Sequence, residues 1–278
     1  MECRVKDVTI HYEEAGSGRP LLALHGMPLD HRHMFNDLEP LFTERQGWRR
    51  IYPDLPGMGQ TQAVDWITHQ DHMLDIILNF MDIVAPGVHF VVAGTSYGGY
   101  MARGVVHHRS SQIDGLMINV PSVETDPQKR KLPNHRVISE DADFLAALGS
   151  EEQDLPGIIV VQSMELLQAF RRFISPAGAI ADHEFLKRLD VNYSFSFEVD
   201  SLPLPFPAPS LIMTGRFDHW CGYEEAYRLL DNYPRATFVV LDRAGHVLAV
   251  EQKALFRALV SEWLDRVEEY TRKDKNPA

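Results

Sequence analysis

The sequence predicts an α/β protein built on a mostly parallel sheet, and three observations carry that reading. Short apolar runs such as Val88–Ala93 (VHFVVA) and Ile113–Val120 (IDGLMINV) lack the one-sided alternation of a half-solvated strand. Strands apolar on both faces belong to sheets covered on both sides by helices. These runs alternate with segments of helical spacing, and most end in turns rich in Gly or Pro.

The elements follow in order. Val8–Glu14 alternates as a strand, and Pro20–Leu24 is an apolar run closed by His25-Gly26. Arg50–Pro53 forms the next strand, ending in the turn Asp54-Leu55-Pro56-Gly57-Met58-Gly59. Met73, Ile76, Ile77, Phe80 and Met81 fall on one helical face. The strand Val88–Ala93 leads into a helix over Ser96–Arg109, and the strand Ile113–Val120 follows. At Pro121 the alternation stops. From Val123 to Pro207 charged turns surround helical candidates such as Ile159–Ile174, and a Pro-rich stretch (LPLPFP) returns the chain. The pattern then resumes with a strand at Ser210–Thr214, a helix at Tyr223–Asn232, a strand at Ala236–Leu241 and a long helix at Leu248–Tyr270; the terminal TRKDKNPA is expected to fray. The predicted organisation is a core of residues 1–122 and 208–278, carrying a mostly helical insertion at 123–207.

Composition narrows the function. The 278 residues include 27 Lys+Arg and 39 Asp+Glu, a net charge of −12, so no nucleic-acid partner is expected. Apolar residues make up 45%, which suits a globular chain with a sizeable core. Two cysteines, Cys3 and Cys221, suggest free thiols in a reducing compartment. With no apolar stretch long enough to span a bilayer and no signal-peptide core, a cytoplasmic location is expected. The oligomeric state stays open, a homodimer included.

Gly94-Thr95-Ser96-Tyr97-Gly98 carries the chemistry. This G-x-S-x-G lies between a buried strand and a helix, the context that a nucleophile elbow requires. An activated serine needs a base, an acid to orient it and donors for the oxyanion. His246 follows the strand Ala236–Leu241, and Asp218 follows Ser210–Thr214, giving the order Ser96…Asp218…His246. The oxyanion donors expected are the backbone N–H of Tyr97 and that of Met27 in His25-Gly26-Met27-Pro28, since Pro28 has none. His25 is expected to order that loop. Trp220, Met164 and Phe170 are the residues expected to line a substrate pocket. Arg171-Arg172 reads as a solvated face or as a greeting for an anionic substrate tail.

No cofactor or metal is expected. Gly57-Met58-Gly59 lacks the third Gly of a dinucleotide fingerprint, position 62 being Gln. His31 and His33, His69 and His72, and His107 and His108 have no Cys or carboxylate at ligand spacing.

These motifs (HGMP, DLPGMG, GTSYGG, GRFD and AGH) together resemble the α/β-hydrolase fold superfamily, and more narrowly its capped serine hydrolases of the esterase and meta-cleavage-product-hydrolase branch. The resemblance implies a mostly parallel eight-stranded sheet flanked by helices, with a helical cap over residues 123–207. It also implies that Ser96 is the nucleophile, His246 the base and Asp218 the acid. The expected reaction is cleavage of a small to medium carboxylic ester through an acyl-enzyme. The alternatives are hydrolysis of a carbon–carbon bond in a keto-dienoate or diketone, and ligand binding with vestigial catalysis. Serine at position 96 argues against epoxide hydrolases and dehalogenases, which carry aspartate there. The short HGMP loop and Val247 after His246 depart from the carbon–carbon hydrolase pattern.

Overall fold

Residues 1–274 are described by the computed structural model. Eight strands form one sheet: β1 (Glu2–Val5), β2 (Val8–Gly16), β3 (Arg19–Leu24), β4 (Trp48–Pro53), β5 (Phe90–Thr95), β6 (Ile113–Asn119), β7 (Ser210–Gly215) and β8 (Ala236–Leu241), in the order β1-β2-β4-β3-β5-β6-β7-β8. β1 and β2 pair antiparallel with each other, as do β2 and β4, while the remaining pairs are parallel.

Alternate side chains of each central strand enter different cores. Leu22, Leu24, Val92 and Ile118 pack against α2 (Gln70–Val84) and α3 (Tyr97–Arg109). Leu21, Ala23, Val91 and Met117 pack on the opposite face, with Met34 and Leu38 of α1 (His31–Leu38) and Phe256, Trp263 and Val267 of α10 (Lys253–Asp274). Each large apolar side chain so buried contributes about 1.5–3 kcal/mol. Between β6 and β7 run α4 (Ala142–Ala147), α5 (Met164–Ala169), α6 (Ser175–Ile180) and α7 (His183–Asp190), with a small core of their own around Phe144, Leu155, Ile159, Leu166 and Leu167. α8 (Glu224–Tyr227) and α9 (Leu248–Glu251) complete the helices named here.

Several elements differ from the sequence reading. β1 was not anticipated: four residues alternating in burial are too few to stand out, and pairing with β2 is what makes them a strand. The helix expected over Ile159–Ile174 begins at Met164, because Ser163 caps it by accepting from the Leu166 N–H at 3.2 Å. Val160 is held instead in extended pairing, its carbonyl accepting from Ile138 N–H at 2.8 Å. Phe170–Ile174 continues α5 as a π-helical turn. The helix expected over Tyr223–Asn232 is one α turn followed by a 3₁₀ turn, and that over Leu248–Tyr270 breaks at Gln252. Of the residues expected to fray, Thr271–Asp274 continue α10 and residues 275–278 lie outside the described residues. Among the described residues no helix is long and apolar enough to cross a membrane.

Candidate active site

The turn from β5 into α3 places Ser96 at φ 55°, ψ −116°, a conformation L-residues avoid. The surrounding backbone holds it there. Ser96 N–H donates to Asn119 O at 2.9 Å, and its own carbonyl accepts from Gly99 N–H at 3.0 Å. So sharp a turn needs close backbone approaches. A Cβ at Gly94 would lie 2.2 Å from Gly98 O, and one at Gly98 would lie 2.1 Å from Leu24 O. Gly98 thus fits the elbow against the end of β3, the base of the HGMP loop. Gly98→Ala should force the two apart, costing about 1–3 kcal/mol of stability and lowering turnover ~10²-fold. Thermal unfolding and steady-state kinetics on the one variant check both effects.

Three distant side chains meet at this elbow. His246 Nε2 lies 3.0 Å from Ser96 Oγ, and its Nδ1 lies 2.9 Å from Asp218 Oδ2. Asp218 is buried, and its other oxygen accepts from the N–H groups of Trp220 (2.9 Å) and Cys221 (3.0 Å). Burial alone would raise the Asp218 pKa, but His246 and the two N–H donors hold it below the usual carboxylate value. For His246, burial opposes the charged form, yet the adjoining Asp218 carboxylate, with Cys221 beside it, outweighs burial and holds the imidazole well above its ordinary value. Trp220 places its ring 4.9 Å from that of His246.

Tyr97 N–H, at the start of α3, and Met27 N–H have no backbone acceptor among the described residues. The loop around Met27 is pinned by His25. Its Nε2 accepts from Leu55 N–H at 3.0 Å, so its Nδ1–H donates to Gly26 O at 2.9 Å, and burial keeps the ring neutral. His33 reinforces the loop from α1. It lies 3.5 Å from Gly26 N, and burial pushes its pKa down to about 3. Beside it, burial pushes the Asp37 carboxyl up to about 7, and its Oδ2 has no hydrogen-bond partner among the described residues.

A cavity of about 300 Å³ opens over Ser96 and His246. Leu155, Ile158, Phe170, Phe173 and Val250 make much of its apolar wall, while Asn119, Ser122 and Asp37 add polar groups. Trp220 and Phe170 line it as expected from sequence. Met164 does not: it sits in the first turn of α5 and packs onto the cluster of Phe144 and Leu167. Phe173, one π-helical turn on, stands at the wall instead. Sequence reasoning missed Asp37 and Asn119, which no motif marks and which come together only through the packing of α1 and β6.

Metal-ligand geometry is partly present. Through the fold, and not through spacing, His31 has Asp30 and Asp54 beside it, ligand atoms lying within 4.8 Å of one another. Both carboxylates are already engaged. Asp54 accepts from His31 Nδ1 at 2.8 Å and from Gln60 N–H at 2.9 Å, and Asp30 accepts from the Arg32 guanidinium. Asp218, Cys221 and His246 form a similar group.

Comparison with known proteins agrees with this architecture. The chain is similar to an alpha/beta superfamily hydrolase from Oenococcus oeni PSU-1, with a TM-score of 0.87 and 27% identity over 96% of this chain and 99% of that one. It is 23% identical to a pimeloyl-[acyl-carrier protein] methyl ester esterase of Legionella pneumophila, over 92% of this chain and all (100%) of the relative. It is also 21% identical to the 2-hydroxy-6-oxo-6-(2'-aminophenyl)hexa-2,4-dienoic acid hydrolase of Metapseudomonas resinovorans, over 95% and 90%. With residues 21–259 matching the alpha/beta hydrolase family on a sheet of the expected topology, the chain belongs to that family.

Proposed function

We propose that the protein is a serine hydrolase of small to medium carboxylic esters, working through an acyl-enzyme. The observation that carries this reading is the pair of hydrogen bonds through His246, 3.0 Å to Ser96 and 2.9 Å to Asp218. His246 takes the Ser96 proton as Oγ attacks the ester carbonyl, and the N–H groups of Met27 and Tyr97 receive the oxyanion. The imidazolium then protonates the departing alcohol, which leaves Ser96 acylated. Water, deprotonated by His246, attacks the acyl carbon, and the acid departs as Ser96 recovers its proton. Asp218 fixes the tautomer and supports the imidazolium throughout.

In this reading residues 123–207 act as a lid that walls the cavity with apolar side chains and shapes the pocket. A cavity near 300 Å³ sits at the small end of the range for ligand pockets, in keeping with a modest ester. The similarity to the Metapseudomonas hydrolase keeps carbon–carbon cleavage as the second reading, since the same triad would serve it.

The test is a panel of p-nitrophenyl esters of rising acyl length run beside a dienol keto acid, with a serine-directed fluorophosphonate as a label. Faster turnover of esters, and labelling that maps to Ser96, supports the proposal. Keto-acid turnover far above every ester moves the assignment to carbon–carbon cleavage. Failure to label Ser96 points to a protein that binds and does not react.

A further inference from the structure

The cavity above Ser96 does not stop at α1. A second cavity of about 230 Å³ adjoins it, and Asn36, Asp37, Ala169, Phe173, Ala249 and Val250 line both. Its outer wall is cationic: Arg172 from the π turn, with Lys253 and Arg257 from α10. Lys253 is paired with Glu165 on the same wall. Arg172 and Arg257 have no acidic partner within salt-bridge distance among the described residues. The neighbouring Arg171, by contrast, is tied to Glu152 at 2.6 Å and to Ala147 O. Arg172 holds its guanidinium 5.0 Å from the centroid of the Phe173 ring, the side chain that faces both cavities.

Two guanidiniums without a salt bridge among the described residues, Arg172 exposed and Arg257 half-buried, stand at the far end of an apolar cavity in a chain of net charge −12. They make a local field of opposite sign, the arrangement that draws and orients an anion, and a guanidinium matches the planar fork of a carboxylate. Asp37, an acidic side chain at the junction, is pushed up to about 7 by burial while Arg257 and Lys253 pull it back toward the charged form, so it is only partly ionised near neutral pH.

We propose that this second cavity is an anion-binding subsite, in which Arg172 and Arg257 hold a carboxylate-type group of the substrate remote from the carbonyl attacked by Ser96. The apolar part of the substrate then spans the shared wall at Phe173 and Val250. The inference rests on the ester-hydrolase reading for which bond is cleaved, and narrows its substrate class to esters with an anionic far end.

The experiment compares monomethyl esters of straight-chain dicarboxylic acids with the dimethyl esters of equal length, placing the anion on the acyl side. Acetate esters of ω-hydroxy acids and their methyl-capped counterparts place it on the alcohol side. Wild type should prefer the anionic ester in one series, at one range of lengths. R172A/R257A should lose that preference through a rise in KM of roughly ten-fold or more, with the neutral esters unchanged. R172K/R257K should keep part of it, and added salt should erode it in wild type. Calorimetric binding of the preferred half ester to Ser96→Ala, with and without the two arginines, reads the subsite independently of any turnover. Equal binding with and without the arginines, or no anionic preference in either series, overturns the subsite. Loss of ester turnover in wild type with arginine-dependent binding intact overturns the reaction and leaves the subsite standing.

Discussion

Ser96→Ala should abolish ester turnover, lowering kcat by ~10⁶, the loss seen when a serine triad is stripped of its nucleophile. The hydroxyl is the group that His246 faces at 3.0 Å. On the proposed ester-hydrolase mechanism the variant keeps the cavity and lacks only the attacking atom, so binding should survive while chemistry stops. The fold should survive as well, because the elbow is held by backbone bonds from Ser96 N–H and O that alanine keeps. Burst kinetics with a p-nitrophenyl ester, fluorophosphonate labelling and a melting curve separate these effects. A variant within an order of magnitude of wild type would remove Ser96 from the reaction.

Much of the framework was legible because it is written in local pattern. FVVA and IDGLMIN read as buried strands, and every residue of β5 and β6 is buried. Val88 and His89, counted into the first strand on sequence, precede β5 and are exposed, and the strand runs on instead to Thr95. Ser96, Asp218 and His246 could be picked out because each stands just after a strand of a parallel sheet, where that topology gathers its loops. His25 could be assigned to loop order since a histidine before Gly-x-Pro has backbone groups within reach. The rest lies in tertiary packing. Met164 and Phe173 look alike in sequence, both apolar on one helical segment. Only the late start of α5 and its π turn decide that the first faces the insertion's own core and the second the cavity. Asp37, Arg172 and Arg257 come from three elements more than 80 residues apart, so no spacing rule could join them. β1 escaped notice for the same reason, its strand character residing in its partner.

Asp218→Asn should lower kcat by ~10⁴ with the fold intact, and the hydrogen bonds around position 218 say why. Oδ1 already accepts two backbone N–H groups, from Trp220 and Cys221. An asparagine must keep its carbonyl oxygen there, which turns its NH₂ toward His246 Nδ1. The imidazole must then accept at Nδ1 and carry its proton on Nε2, facing Ser96 with a donor where a base is needed. The pH profile gives a second signature. Activity requires neutral His246 and so falls as pH drops through its pKa. With Asp218 holding that pKa well above the ordinary value, the wild-type acid limb should lie higher than the fall below about pH 6 that an unperturbed imidazole would give. Removing the carboxylate leaves burial as the dominant influence, so the limb of Asp218→Asn should move to lower pH even as its plateau drops. Profiles of kcat/KM from pH 5 to 9 for both proteins decide the matter: an unchanged limb, or a plateau within tenfold of wild type, would mean that Asp218 neither charges nor orients the histidine.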